Sequence, residues 1–285
     1  MKNNLIGISG KMGSGKDTVG KILQYLSSFN KYSNSNIKAL IEEDNATDIY
    51  PHFSNYQIKK FADKLKDIAC LLIGCTREQL EDREFKEKEL GEEWVAYKVF
   101  TQKYHYNEYK LFNNRESAES FAFQHYGSDI KGRVVTIKLT PRLLLQLLGT
   151  ECGRNIIHPN IWVNALFADY KPVKDKLLEG EVRKVREEDL VYPNWIITDV
   201  RFTNEVEAIK ERGGIVIRVE RLTEEQKIAS LKTRANRPNN AIKLALKNEH
   251  PSETALDDYD GFDYVIENNG SIEELVEKVK QLNLM

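Results

Sequence analysis

Gly10-Lys11-Met12-Gly13-Ser14-Gly15-Lys16-Asp17-Thr18 lies between an apolar run, Leu5-Ile6-Gly7-Ile8-Ser9, and the helically spaced Val19, Ile22, Leu23 and Leu26. A glycine-rich turn leading from a short buried strand into a helix is a phosphate-binding context. Glycines let the backbone wrap an anion, and successive amides and the positive helix end stabilise its charge. Lys16 then reaches the outer phosphates of a nucleoside triphosphate, with Lys11, Gly13, Ser14, Gly15 and Thr18 around them. The spacing from Gly10 to Gly15-Lys16 is that of a mononucleotide-binding loop, but the next position, normally a magnesium-binding Ser or Thr, is Asp17. A carboxylate there helps only by meeting magnesium through water, pairing with a cation or pointing away. Thr18 is the alternative hydroxyl. A dinucleotide-binding reading of Gly10, Gly13 and Gly15 leaves Lys16 without a role and finds no acidic residue ending a second strand.

The chain has 285 residues, of which 41% are hydrophobic and 30% charged, enough for one large α/β domain or a core with a smaller insertion. A formal net charge of -2 argues against a protein coated in nucleic acid and leaves room for a local phosphate site. Cys70, Cys75 and Cys152 make neither a disulfide framework nor a zinc quartet. The glycine loop arrives before a secretion-like segment is complete, and no later stretch has membrane-spanning length and apolarity. A cytosolic enzyme without a membrane partner is expected.

Beyond a polar stretch at 31–54, Phe61, Leu65, Ile68 and Leu72 are spaced as a helix, and Thr76 with Gln79 reads as a capping box. Residues 81–89 form a charged run, either a solvated helix face or a mobile substrate-side segment. Tyr97, Phe100, Tyr104, Tyr106, Tyr109 and Phe112 then interleave with Lys98, Lys103 and Lys110. With an acidic balance and no nucleic-acid module, this pattern is read as packing or oligomeric surface, so 76–140 is taken as a peripheral insertion.

Pro141 opens a helix whose Leu143, Leu144, Leu147 and Leu148 supply an apolar face. Arg142, Gln146 and Thr150 step along another side, and Gly149 leaves room for a ligand there. A nucleoside monophosphate needs charge-assisted contacts to its phosphate and hydrogen bonds to its base or sugar, and Arg142 and Gln146 suit those tasks. Glu151 and Arg154 extend that group or pair with one another, while Trp162 covers a base or packs within a helix. Further on, Trp195-Ile196-Ile197 reads as a buried strand that carries Asp199 to its carboxyl end, where ligand sites of α/β sheets gather. Asp199 is suited to hold magnesium through water or to orient lysine and substrate, and Arg201 to neutralise charge between two phosphates. Asn204 caps the next helix with Glu207 as partner, and Glu205 faces the site. Arg234 and Arg237 fall in a basic stretch, 220–250, that suits a lid; Glu253 orients a substrate-side arginine; Asn268 and Asn269 meet adenine or only form a turn.

The loop ending in Lys16-Asp17-Thr18, the segment Arg142 through Arg154, Asp199-Val200-Arg201-Phe202 with Asn204-Glu205, and His250-Pro251-Ser252-Glu253 together resemble the bacteriophage deoxynucleoside monophosphate kinases. The resemblance covers most of the chain and is weakest around 31–54 and 90–138. It implies a single P-loop kinase domain over 1–285: a mainly parallel central sheet flanked by helices, with a peripheral substrate and lid insertion. It also implies ATP as phosphate donor, magnesium, and a deoxynucleoside monophosphate acceptor in the cytoplasm of an infected host cell. By the same resemblance Gly13 to Thr18 hold ATP, Lys16 and Arg201 act at the transferred phosphoryl group, and Arg142 with Gln146 to Arg154 receive the acceptor. Trp162 and Asp199 are further positioning candidates, and homodimerisation is suggested by the family alone. Another small-metabolite P-loop kinase, resembling dephospho-coenzyme A kinase, and a nonenzymatic nucleotide-binding regulator are the competing readings.

Overall fold

The computed structural model describes residues 4–27, 37, 55–102, 105–128, 133–174, 190–221 and 251–285. It forms two compact units, Met1–Asp63 with Asn160–Met285, and Lys64–Pro159. The proposed lid arginines Arg234 and Arg237 lie outside the described residues, as does the polar stretch 31–54 apart from Ile37.

The first unit is built on strand β1 (Leu5–Ser9), buried at all five positions. A strand covered on both faces needs a continuous apolar run instead of alternation, which is what Leu5-Ile6-Gly7-Ile8 supplies. The unit continues through α1 (Lys16–Leu26), β2 (Tyr56–Lys59), α2 (Ile161–Phe167), β3 (Asn194–Val200), α3 (Thr203–Lys210), β4 (Ile215–Glu220), β5 (Tyr264–Glu267) and α4 (Ile272–Gln281). The sheet has the order β5-β4-β1-β3-β2, and every pairing in it is parallel. Ile6 and Ile8 share one core cluster with Ile22 and Leu23 of α1 and Leu275 and Val276 of α4, so those helices cover one face. Gly7 points to the opposite face, where a side chain on it would meet Ile209 of α3 at 2.6 Å; glycine lets α3 lie close. β2 went unread in the sequence because only Tyr56 and Ile58 alternate.

Beside β3 sits an aromatic group. Tyr170 stacks on Tyr192 at 5.1 Å and tilts against Trp195 at 4.8 Å, with Phe167 edge-on at 5.8 Å. Burial, reinforced by the neighbouring Tyr192 phenol, pushes the Tyr170 hydroxyl up to about 12. An unfolded chain loses a phenolic proton near pH ~10, so between those values the unfolded state binds fewer protons and stability falls as pH rises. Urea midpoints measured across that window are expected to drop in the parent chain and to drop less in Tyr170→Phe.

The second unit holds a three-stranded antiparallel sheet in which Val95–Gln102 pairs with both His105–Phe112 and Val134–Lys138. Helix Arg115–Tyr126 packs Ala118 and Ala122 against Val99, with Tyr97, Phe112 and Phe121 around them. The Lys98 ammonium lies 3.7 Å from the Tyr109 ring centroid. Part of the aromatic and basic interleaving is thus spent on packing and cation–π contact within this unit.

Thr76 and Gln79 form the expected capping box: Thr76 Oγ1 accepts from the Gln79 amide at 3.2 Å and Gln79 Oε1 from the Thr76 amide at 2.9 Å. The helix expected from the spacing of Phe61 to Leu72 forms, with its own choice of buried face, whereas the one opened by Pro141 needs correction. The helix Asp63–Ile73 buries Leu65 and Ala69, one helical step apart, and leaves Ile68 and Leu72 43% and 50% exposed. The helix opened by Pro141 is α only to Gln146 and continues as a π-helix over Leu147–Ile157. The wider turn carries Thr150 and Arg154 off the α-helical face shared by Arg142 and Gln146.

Candidate active site

The carboxyl ends of β1 and β3 meet at the glycine loop. Gly13 and Gly15 have φ of 78° and 92°, left-handed values that a side chain would strain, and the Ser14 amide donates to the Lys11 carbonyl at 3.1 Å. Asn268, which follows β5, donates its side-chain amide to the Ser14 carbonyl at 2.8 Å and its backbone amide to Glu220 at 2.7 Å. In this structure Asn268 therefore braces the loop. Asn269 next to it is exposed.

Lys16, the first residue of α1, is only 7% exposed, and its ammonium donates to the Lys11 carbonyl at 3.3 Å. Burial, and then the Arg201 charge, lowers its proton affinity, against opposing effects of Asp17, Glu253 and Asp199. Ser14 Oγ is buried and has no hydrogen-bond partner among the described residues. A buried hydroxyl without a partner is costly unless a ligand completes it, and inside a loop of this shape the fitting ligand is an anion that accepts its proton. Lys11 reaches the other way, to Asp257 Oδ2 at 3.0 Å.

Asp17 is already paired on one side. Its Oδ1 receives the Lys60 ammonium at 3.0 Å and the Thr198 hydroxyl at 2.9 Å. Burial pushes this carboxyl up, but the Lys60 charge and hydrogen bond, with Thr198 and Lys16, outweigh it and hold Asp17 below the usual carboxylate range. The contact with Thr198 depends on Gly20: a side chain there would meet the Thr198 methyl at 2.5 Å, so glycine lets α1 settle onto β3.

Asp199 binds the turn after β2, accepting the Phe61 amide at 2.8 Å on Oδ1 and the Ala62 amide at 3.0 Å on Oδ2. Burial pushes its carboxyl up, against those amides and the Arg201 and Lys60 charges. Arg201 forms an ion pair with Glu253 and also donates to the Ser252 carbonyl at 3.2 Å. The other Glu253 oxygen accepts the Met12 amide of the glycine loop at 3.0 Å. Glu205 is 1% exposed and takes the Arg201 and Phe202 amides at 2.7 and 3.1 Å on one oxygen. It caps α3 in place of the expected Asn204 and Glu207 pair, and Asn204 donates instead to Asn160 at 2.6 Å. Trp162 is buried within α2.

The first unit thus joins Lys16, Asp17, Asp199, Arg201 and Glu253 around one loop, with Glu205 holding the Arg201 backbone amide from α3. The remaining acceptor candidates belong to the second unit. There Arg142 is paired with Glu87, Glu151 accepts from Asn155 at 3.2 Å, and Arg154 donates to the Pro159 carbonyl at 3.4 Å. The space expected beside Gly149 is taken by Leu65, whose methyl would stand 2.8 Å from a side chain at that position.

Lys60, Thr198 and Asp257 join the site through the fold and carry no motif of their own. Lys60 had one usable signal, its place directly after a strand and before Phe61-Ala62-Asp63, but β2 itself was too short to see.

Among the described residues no three His, Cys, Asp or Glu form a metal-holding group. Magnesium needs only one or two protein carboxylates beside phosphate oxygens and water. Asp17 has a side chain 57% exposed and Thr18 is half-buried at the start of α1, so the donor set fits a hydrated ion arriving with a nucleotide.

A family model described as deoxynucleotide monophosphate kinase matches residues 4–279. The chain is 24% identical over 279 residues to a deoxynucleoside-5'-monophosphate kinase of Escherichia phage T5, covering 88% of this chain and 84% of that protein. It is 29% identical over 147 residues to a protein of Acanthamoeba polyphaga mimivirus provisionally named deoxynucleotide monophosphate kinase, covering 49% of this chain and 59% of the relative. With a five-stranded parallel sheet, a glycine loop and a match over nearly its whole length, the chain belongs to the deoxynucleotide monophosphate kinase family of phosphotransferases.

Proposed function

We propose that the protein transfers the terminal phosphoryl group of ATP to a deoxynucleoside monophosphate, with magnesium, giving ADP and a deoxynucleoside diphosphate. The observation that carries this reading is the loop itself: left-handed Gly13 and Gly15, buried Lys16 and the buried Ser14 hydroxyl, which has no partner among the described residues, with Arg201 beside Lys16. The acceptor already carries nucleophilic phosphate oxygens, so the protein supplies alignment and charge neutralisation and needs no strong base.

Lys16 neutralises charge on the transferred group, and its low hydration in the buried site strengthens that interaction. Arg201 shares this task once it exchanges Glu253 for phosphate. Loop amides from Gly13 to Thr18, with Lys11, hold the donor phosphates; Asn268 holds the loop and Asn269 stands beside the same turn. Thr18, Asp17 and Asp199 would hold magnesium, which would spread charge over the donor phosphates. Arg142, Gln146, Thr150, Glu151 and Arg154 carry the donors and acceptors that a nucleoside monophosphate requires, and acceptor binding is assigned to them on chemistry and family resemblance. Homodimerisation rests on the resemblance alone and is read by sedimentation.

Incubation with ATP, magnesium and a panel of ribo- and deoxynucleoside monophosphates tests the reading. Accumulation of deoxynucleoside diphosphates is the expected result. ATP binding without phosphorylation of any acceptor would overturn it in favour of a nucleotide-binding regulator.

A further inference from the structure

Asp17 occupies the position after the loop lysine, where a negative charge opposes phosphate binding. The structure shows how that charge is handled. One Asp17 oxygen is held from two sides, by the Lys60 ammonium at 3.0 Å and the Thr198 hydroxyl at 2.9 Å. Thr198 is fully buried in β3, so its hydroxyl is a fixed donor. Lys60 is fixed through its backbone: its amide donates to Asp63 Oδ2 at 3.0 Å, and the next two amides are bound by Asp199. A lysine rooted this firmly at the end of β2 delivers its charge to one place.

We propose that Lys60 is a positioning residue for donor binding, which with Thr198 neutralises Asp17 and turns it toward the sheet so that the loop remains an anion site. This rests on the phosphate-binding reading of the loop and adds a residue outside it. The pair is partly solvent-exposed, so its contribution to stability is small; its effect is on the electrostatics met by an entering phosphate. Lys60 acts through Asp17, so removing the Asp17 charge makes it dispensable.

Calorimetric titration of ATP without divalent metal excludes any contribution of Asp17 to magnesium binding and does not depend on turnover. Lys60→Met is expected to weaken ATP binding by about tenfold or more while leaving the urea midpoint nearly unchanged, and Lys60→Arg to retain most affinity. Adding Asp17→Asn to Lys60→Met is expected to return the dissociation constant to within about threefold of the parent. Thr198→Val gives a second route to the same outcome: a smaller weakening, relieved by Asp17→Asn. Unchanged binding in folded Lys60→Met overturns the proposal. A double variant as weak as Lys60→Met also overturns it, because Lys60 then touches the nucleotide itself. Failure of the parent to bind ATP at all removes the loop reading beneath it, and failure only to phosphorylate a monophosphate removes the kinase assignment while the binding comparison still decides the role of Lys60.

Discussion

Lys16→Met is expected to lower kcat by about a thousandfold while the protein keeps its fold, which follows from removing one preorganised charge from a water-poor transfer site. Methionine preserves most of the length and packing of a side chain that is only 7% exposed, so the variant isolates the charge. Stability should hold or rise slightly, because the fold now keeps a cation buried beside Arg201. Steady-state kinetics with circular dichroism and urea unfolding read both parts. A folded variant with near-normal turnover would sink the assignment of Lys16 to the transferred phosphoryl group. A fall in kcat and kcat/KM by the same factor would place the lost interaction in the transition state.

Asp199→Ala is expected to cost both stability and activity. It strips the acceptor from the Phe61 and Ala62 amides, and leaving two partly buried donors without partners costs about 2–4 kcal/mol. The same turn fixes Lys60, and Asp199 is itself assigned to magnesium, so activity should fall by about a hundredfold from the two effects together. Asp199→Asn keeps one acceptor and should recover much of the stability while remaining impaired in catalysis. Urea midpoints and initial rates for the two variants separate these effects. An Asp199→Ala protein as stable as the parent would show that the turn is held by other contacts.

What the sequence revealed was local. The run Leu5 to Ser9, the glycines and Lys16 are contiguous, and each propensity among them points to strand, turn and helix in that order. Asp199 and Arg201 were legible for the same reason, a buried strand ending in charged residues. Thr76 with Gln79 follows a short rule that needs no tertiary partner. Of the pairs that complete the loop, the arginine partner expected for Glu253 is met by Arg201, whereas Lys60 with Asp17, Glu253 with Met12, and Asn268 with Ser14 each join segments far apart in the chain. No periodicity encodes such a pair. Glu205 misled for a related reason, since its burial is decided by the approach of α3 to the sheet. The π-helical stretch after Gln146 was hidden because its leucines satisfy the α-helical period equally well.

Glu253 gives the site a built-in counter-anion. One carboxylate holds Arg201 and, through its other oxygen, the Met12 amide. A phosphate that takes those donors displaces an anion already there and does not enter an uncompensated positive hole. The gain on binding is therefore the difference between two anions, smaller than the attraction of phosphate for bare charge. Under the proposed function the exchange runs equally well in reverse: after transfer, the returning carboxylate would compete for the same donors and help the diphosphate leave, so a grip strong enough for the transition state need not trap the product.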